Sequence, residues 1–359
     1  MSLEEQRLLA YRYGNNFANV GSVGGNSSGE YLLQRAEDCD QKRRHHEAMD
    51  GYQGQILSPT THGTLLVRDL VKNNGSDLAY VQNLVKEAKL TKLPRNDTAR
   101  HTTTPLTNAT FAAYYESGAN TPLAVMELLA KLAAANPPLS KSETAHVDHE
   151  LRAAGIRYDT YKPPRDVNLS LAYSEVEAAI HSFAISSLQS LGNGWVHNVP
   201  QGTYGSNYLD RALIAAIGYL ELTSDQVIYP RQAAQDSEMT LLSNESYIYT
   251  FSSKPPIASD GFWSLTLYDS QGYVSANPLN KYSVGDRSNI TYPDGELVYG
   301  NGTRAADRGF QVLIQPYDVP PPVNWTNNWL PAPANGSEFS ITSKSFTQPF
   351  LQKSYTNKR

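Results

Sequence analysis

One cysteine, Cys39, stands in 359 residues, so an internal disulfide is excluded. A lone thiol of this kind reads first as a small buried residue and only second as a nucleophile. No apolar run approaches the roughly 18 residues that a membrane-spanning helix needs, so no membrane span is predicted. Charge is sparse: 18 % of residues are charged and the net charge is −5, with a pI near 5.9. Nucleic-acid binding favours a basic face. The single basic cluster, Lys42 to Arg44 with His45 and His46, is short and reads as a solvated helix or loop face, so no nucleic-acid partner is predicted. Gly-x-x-x-x-Gly-Lys-Ser/Thr does not occur, and Gly25-Asn26-Ser27-Ser28-Gly29, which matches Gly-x-Ser-x-Gly by letter, sits in a Gly- and Ser-rich tract rather than between a strand and a helix pattern, which leaves serine activation at a nucleophile elbow and phosphate cradling without a local signature. Met1 to Tyr13 is amphipathic and lacks the apolar core and small-residue cleavage site of a signal peptide. No internal repeat, heptad run or low-complexity tract is present.

Asparagine in sequons is plentiful. Ten Asn-x-Ser/Thr sites occur, at Asn26, Asn74, Asn96, Asn108, Asn168, Asn244, Asn289, Asn301, Asn324 and Asn335, where composition alone gives roughly four. The excess points to passage through the secretory pathway and to a glycoprotein. The apolar share, 40 %, suffices for ordinary cores, and the length allows two or three domains.

Composition shifts twice along the chain. Residues 1–104 are rich in Gly, Ser and Thr; Thr64 to Val71 reads as a strand, and Asp77 to Lys89 as a helix capped by Ser76. Residues 105–192 are helical in pattern. Thr121-Pro122 opens a helix from Leu123 to Ala135 that Asn136-Pro137-Pro138 stops. A second runs from Ser142 to Ala154, and a third from Ser174 to Leu191, ended by Gly192-Asn193-Gly194. Residues 193–359 are rich in strands apart from a helix at Tyr208 to Leu220. This order predicts a β domain, a helical insert and a larger β domain.

The densest polar chemistry follows Phe262 to Tyr268, whose side chains alternate in the period of a half-buried strand. Asp269 to Gly272 supplies a turn, Tyr273 begins a second strand, and Gly285 sits in a tight corner where φ > 0 is available. Asp269, Asn277, Asn280, Tyr282, Asp286 and Arg287 place two carboxylates, two amides, a phenol and a guanidinium within nineteen residues. Asp286, Asp269, Tyr282 and Arg287 form the candidate catalytic set. Two carboxylates in different environments can act as acid and base, and Arg can clamp a carboxylate. The plainer reading makes Asp269 and Asp286 Asx-turn residues and has Asn277 and Asn280 tie down backbone. Asn277 and Asn280 are candidate substrate ligands, with Asp210 and Arg211 beside Tyr204 and Tyr208, then Tyr229, Arg231 and Trp329. For Asp210 and Arg211 a structural ion pair is the competing reading; for Trp329, stacking on a flat ligand competes with packing a sandwich end. His146 and His149 share a helix face at metal-ligand spacing, but that helix is charged throughout and reads as solvated, so no metal is predicted. His181 reads as a core residue, and His62 and His197 as loop residues.

Tyr204-Gly205, Tyr208 to Arg211, Tyr229 to Arg231, Asp236, Phe262 to Asp269, Asn277 to Asn280, Tyr282 to Arg287 and Asn328 to Pro333 together resemble the C-terminal half of a paired family, the domains of unknown function (DUF) 1254 and 1214. The N-terminal half, through Asn16 to Gly21, Ser58-Pro59 and Asp77 to Val81, looks like the later part of the 1254 domain. The wording is that of fungal, secreted-type members. The resemblance implies a mainly β protein with a helical insert: an incomplete immunoglobulin-like sandwich, a small helical domain and a jelly-roll-like C-terminal sandwich. It also implies further N-terminal strands that this chain lacks. Either the start is set too late and the protein is secreted, or this is a shortened, cytoplasmic member.

These residues support an enzyme of hydrolase, lyase or isomerase type, with no cofactor predicted, acting on a small organic or carbohydrate-like molecule; a fungal secondary-metabolite tailoring step fits by analogy. The alternatives are a non-catalytic secreted protein that binds glycan or another partner through Trp325 and Trp329, or an inactive shortened copy.

Overall fold

The computed structural model describes residues 6–12, 14–21, 29–36, 51–69, 71, 75–93, 106–116, 121–232, 239–257, 261–300 and 308–345. Cys39, the basic cluster at 42–46, Asp236 and the sequon residues Asn26, Asn74, Asn96 and Asn301 lie outside these. The protein is mainly β with a helical insert, and its chain divides into two compact units. One comprises residues 1–68, 88–186 and 202–221, the other residues 69–87, 187–201 and 222–359.

In the first unit, β1 (Gln6–Arg12) and β2 (Asn15–Gly21) form an antiparallel hairpin, and β5 (Thr64–Asp69) flanks β1 to complete a three-stranded sheet. A parallel pair, β3 (Tyr31–Arg35) with β4 (Gly54–Ser58), stands apart from it. The helices are α2 (Asn108–Glu116), α3 (Pro122–Ala133), α4 (Thr144–Ala153), α5 (Leu169–Ser186) and α6 (Tyr208–Ile217), with a small hairpin of β6 (Ile156–Arg157) and β7 (Thr160–Tyr161). Helix α3 begins as its sequence predicts: Pro122 occupies the first turn and Thr121 accepts a bond from Ala124 N at 3.3 Å. Helix α5 is capped by Asn168, whose Oδ1 accepts from Leu171 N at 3.1 Å, so it starts and ends earlier than Ser174 to Leu191. His181 on it is exposed rather than in the core.

The reason for that early end lies in the second unit, in Asn193-Gly194. Both residues have positive φ, 52° and 76°, the requirement of a type I′ hairpin turn, and they join β8 (Leu188–Gly192) to β9 (Trp195–Asn198). The pattern read as a helix stop is a hairpin turn, and His197 lies in a strand. Helix α1 (Leu78–Glu87) also belongs to this unit and buries Val81 and Leu84.

The rest of the second unit is sandwich-like. One sheet has six strands in the order β13 (Ser283–Gly285), β12 (Trp263–Asp269), β16 (Phe339–Ser345), β10 (Arg231–Gln232), β9, β8. The other has three: β11 (Tyr247–Phe251), β14 (Phe310–Pro316) and β15 (Trp329–Ala332), the last two parallel. Alternate residues of each strand face one core: Trp263, Leu265 and Leu267 from β12, Phe310, Val312 and Ile314 from β14, Phe339 and Ile341 from β16. Phe251 stacks on Phe310 with ring centroids 4.6 Å apart, and Trp263 lies tilted against both. Burying an aromatic of this size stabilises by about 2–3 kcal/mol. No second strand begins at Tyr273; β13 supplies the partner of β12, pairing Ser264 with Gly285. Nor does Gly285 adopt a left-handed φ. It is glycine because a Cβ there would meet the carbonyl oxygen of Trp263 at 2.1 Å, so the two strands approach through the space of the absent side chain.

Candidate functional site

The polar loop after β12 serves mainly to satisfy its own backbone. Asp269 Oδ1 accepts from Gln271 N at 3.0 Å and Tyr273 N at 2.8 Å. Asn277 is buried and uses both ends of its amide: Nδ2 donates to the carbonyls of Ser275 and Lys281, and Oδ1 accepts from Leu279 N and Lys281 N. Asn280 takes φ 49° in the turn, and the exposed Tyr282 donates to its Oδ1 at 3.4 Å. Asp286 Oδ1 accepts from Trp263 N at 2.7 Å while Oδ2 pairs with Arg287 Nε at 2.9 Å, and Arg287 donates onward to the Gly261 carbonyl. Burial raises the Asp286 carboxyl above its ordinary range, although these donors pull the other way.

The structure does not bring Asp269 and Asp286 together. Asp269 ends β12 and Asp286 is bonded to Trp263, its first residue; six residues of strand separate them by about 20 Å, too far for an acid–base pair on one substrate. Lys281, buried enough to bring its ammonium down to about 8, donates to the carbonyls of Thr326 at 2.9 Å and Asn327 at 2.5 Å.

Trp329 is not a surface platform. It is 1 % exposed within β15, and Trp325 is partly buried. The neighbouring Asn328 fills its hydrogen-bonding capacity on Thr291 N, Thr291 Oγ1, Thr291 O and Gln311 O. Tyr229 Oη accepts from Leu222 N at 3.2 Å, and Arg231 lies within β10. His146 is paired with Glu150 at 3.8 Å on the exposed face of α4. Among the described residues, no group of three or more His, Cys, Asp or Glu side chains is placed to hold a metal.

A different arrangement surrounds Tyr204 in the first unit. Asn207 caps α6, its Oδ1 accepting from Asp210 N at 3.2 Å. The helix thereby turns Asp210 and Arg211, 1 % and 8 % exposed, toward the interior with Leu213 and Ile214. The Arg211 guanidinium lies 5.5 Å from the centroid of the Tyr208 ring, and the exposed Tyr208 donates to Glu143. Tyr204 is 3 % exposed. Its backbone N donates to Asn15 Oδ1 at 2.7 Å, its Oη accepts from Gly202 N at 2.8 Å, and the same hydroxyl donates to Glu221 Oε2 at 2.6 Å. Asn16 N in turn donates to the Gly202 carbonyl at 2.9 Å. Gly14, with φ 76°, starts the strand against Ile214, where a Cβ would come within 3.0 Å of its Cγ2. The start of β2, the turn at Gly202 to Tyr204 and the inner face of α6 therefore meet at one tyrosine.

The electrostatics of this centre are unusual for its residue types. Burial pushes the Glu221 carboxyl up to about 7; the Tyr204 hydroxyl and Gly202 N–H act against the shift, and the negative charge of Asp210 adds to it. Burial raises Asp210 as well. Tyr204 is raised far above the ordinary phenol range by burial and by Glu221 beside it, so the phenol stays protonated and the carboxyl is the group that titrates. Among the described residues, Asn15 Nδ2, Asn16 Nδ2 and Asp210 Oδ2 are buried without a hydrogen-bond partner. Orphaned buried groups are uncommon in folded proteins and call for an explanation.

Of these residues, Asp210, Arg211, Tyr204 and Tyr208 are visible in the sequence as a candidate cluster. Glu221 is not, because the signal is only a lone acid between Leu220 and the buried Leu222. Asn15 and Asn16 carry a clearer one: two amides directly after a turn glycine, at the head of a strand.

Residues 226–348 match the family model described as protein of unknown function (DUF1214). The segment holds β10 to β16 and excludes Tyr204, Asp210 and Glu221. The fold is similar to that of the VPA0106 protein from Vibrio parahaemolyticus, with a TM-score of 0.53 and 15 % sequence identity over 95 % of this chain and 77 % of that one. At that identity the likeness is one of fold. No curated protein matches the chain.

The raised carboxyl makes a prediction. Glu221 ionises near 4.5 when unfolded and near 7 when folded, so its protonated form stabilises the fold below pH 4.5 and that contribution is lost as pH rises to 7. Against a Glu221→Gln variant, urea unfolding of the wild type should lose about 3 kcal/mol between pH 4.5 and pH 8. A constant difference across that range contradicts the shift.

Proposed function

We propose that the protein is an enzyme of hydrolase, lyase or isomerase type, working by general acid–base catalysis on a small organic or carbohydrate-like molecule at the centre formed by Tyr204, Glu221 and Asp210. The observation that carries this reading is the partly buried carboxyl of Glu221, bonded at 2.6 Å to Tyr204 and pushed up to about 7 by its burial. A group poised there can both take and return a proton at neutral pH. Tyr204, held by Gly202 N and Asn15 Oδ1, fixes Oε2 and leaves the proton exchange with substrate to Oε1. Burial keeps Glu221 basic, and the negative charge of Asp210 adds to it. The polar loop around Asp286 is assigned no chemistry, since its groups are bonded to backbone.

The test is a substrate screen of esters, lactones, hydroxy acids and polyols read by mass spectrometry, with wild type and Glu221→Gln side by side. A substrate should be consumed with a kcat/KM that rises through an apparent pKa near 7, and its turnover should fall by about 10²–10⁴ in the variant. Turnover unchanged by the substitution removes Glu221 from the reaction.

A secretory route is the second part of the proposal. It is supported by the exposure of every sequon asparagine among the described residues: Asn108, Asn168, Asn244, Asn289, Asn324 and Asn335. Asn168 caps α5 through Oδ1, which leaves Nδ2 for a glycan. Produced through a yeast secretory pathway, the protein should carry Asn-linked glycans at these six positions, detected as mass shifts on treatment with peptide N-glycosidase. A secreted chain of unmodified mass overturns the assignment.

A further inference from the structure

An edge strand offers a row of main-chain N–H and C=O groups to any other extended chain, and folded proteins blunt such edges by shortness, charge, proline, a bulge or a cover. Among the described residues, five of the six edges of the three larger sheets are blunted in one of these ways. The register of β2 slips at Phe17 and that of β8 at Leu191. β13 has only three residues. β15 has four, one of them Pro331, which has no N–H to give. β5 is held by the chain after α6, with Thr64 bonded to Tyr219 and Arg68 to the Leu220 carbonyl.

The sixth edge, β11, has none of these devices. Tyr247–Phe251 reads Tyr-Ile-Tyr-Thr-Phe, without charge, proline or glycine. It pairs with β14 in unbroken register and has no strand on its other side among the described residues. Tyr249 and Phe251 pack against the core of the sandwich, so Ile248 and Thr250 fall on the opposite face. Tyr247 and Ile248 are 41 % and 48 % exposed, and the edge lies open to solvent there. A strand that adds at such an edge is chosen by its cross-strand neighbours and by the charges that flank it.

The chain itself meets both conditions. Glu245 lies two residues ahead of β11 and Lys254 three residues behind it, one charge of each sign. When a second copy is laid antiparallel and centred on Tyr249, Tyr247 stands opposite Phe251 of that copy and Ile248 opposite Thr250. Glu245 of each copy then falls opposite Ser253 of the other and next to its Lys254. Opposite charges meet at both ends, aromatic faces aromatic, and the arrangement closes as a twofold dimer; a parallel pairing would set like charge on like. We infer that β11 is the interface of a homodimer, in which the edge strands of two copies pair antiparallel about Tyr249 and join two three-stranded sheets into one of six strands. The pairing uses none of the residues of the proposed acid–base centre. A ladder of five residues buries less than the about 1,200 Å² of a standard interface, so the dimer is weak and forms with rising concentration.

Sedimentation velocity over a roughly hundredfold range of concentration tests this, on the full chain made in bacteria so that no glycan at Asn244 adds bulk beside the edge. The wild type should pass from monomer toward dimer across the range. Ile248→Lys with Thr250→Lys sets like charges opposite one another in this register and should weaken association about tenfold or more. Ile248→Lys with Thr250→Glu changes the same two positions but sets opposite charges together, and should associate at least as well as the wild type. Both variants act on the solvent face, and urea unfolding of the two should agree. Amide exchange of the wild type adds a reading that needs no variant: β11 should exchange more slowly in the concentrated sample than in the dilute one. A monomer at every concentration, equal association of all three proteins, loss of association in both variants, or β11 exchange independent of concentration overturns the inference.

Discussion

Main chain that lies inside a protein without a ladder partner must find one in a side chain, because an unmet buried N–H or C=O costs about as much as a lost hydrogen bond. Much of this fold follows from that constraint. Between β12 and β13, and between β14 and β15, the chain runs irregularly, and amides and carboxylates are spent on holding it. Asn277 closes one loop on itself, Asn328 joins Thr291 to Gln311, and Asp286 receives the first N–H of β12. Gln201 does likewise, giving both protons of its amide to the carbonyls of Leu222 and Val227. Even Lys281 is drawn in, its ammonium held on two carbonyls.

Polar residues in the loops are therefore a poor guide to chemistry in this chain. The run from Asp269 to Arg287 is dense in functional groups because it is poor in regular structure. The useful distinction is between buried groups whose bonds are complete and buried groups whose bonds are not. Asn328 and Asn277 fall in the first class. Asn15, Asn16 and Asp210, gathered about the Tyr204–Glu221 pair, fall in the second.

The sequence made the strands of the sandwich legible because period-two alternation survives wherever one face meets a core, as in Trp263, Leu265 and Leu267. It also made the start of α3 legible, since Thr121-Pro122 acts locally. It misled where one signal has two meanings. Asn193-Gly194 stops a helix or turns a hairpin, and only the pairing of β8 with β9 decides. Gly285 suggests a left-handed corner, yet its role is to let Trp263 O approach. Trp329 follows a polar turn and is still buried, because β15 is covered along its whole length from Trp329 to Ala332. Of the candidate site, α6 was visible as a motif. Glu221 was not, because its carboxyl is raised by tertiary burial and its hydrogen-bond partner Tyr204 stands 17 residues away, neither of which a local pattern records.

The proposed chemistry depends on a carboxyl that shares a hydrogen bond with a permanently protonated phenol and changes charge near neutrality. A direct view of it is a pH titration of the protein labelled with carbon-13 at glutamate Cδ, followed by nuclear magnetic resonance, with Glu221→Gln to assign the signal. One glutamate should titrate with a midpoint at about 7, and that resonance should vanish in the variant. If every glutamate titrates in the ordinary range near 4.5, the Tyr204–Glu221 pair is a structural tie like the others.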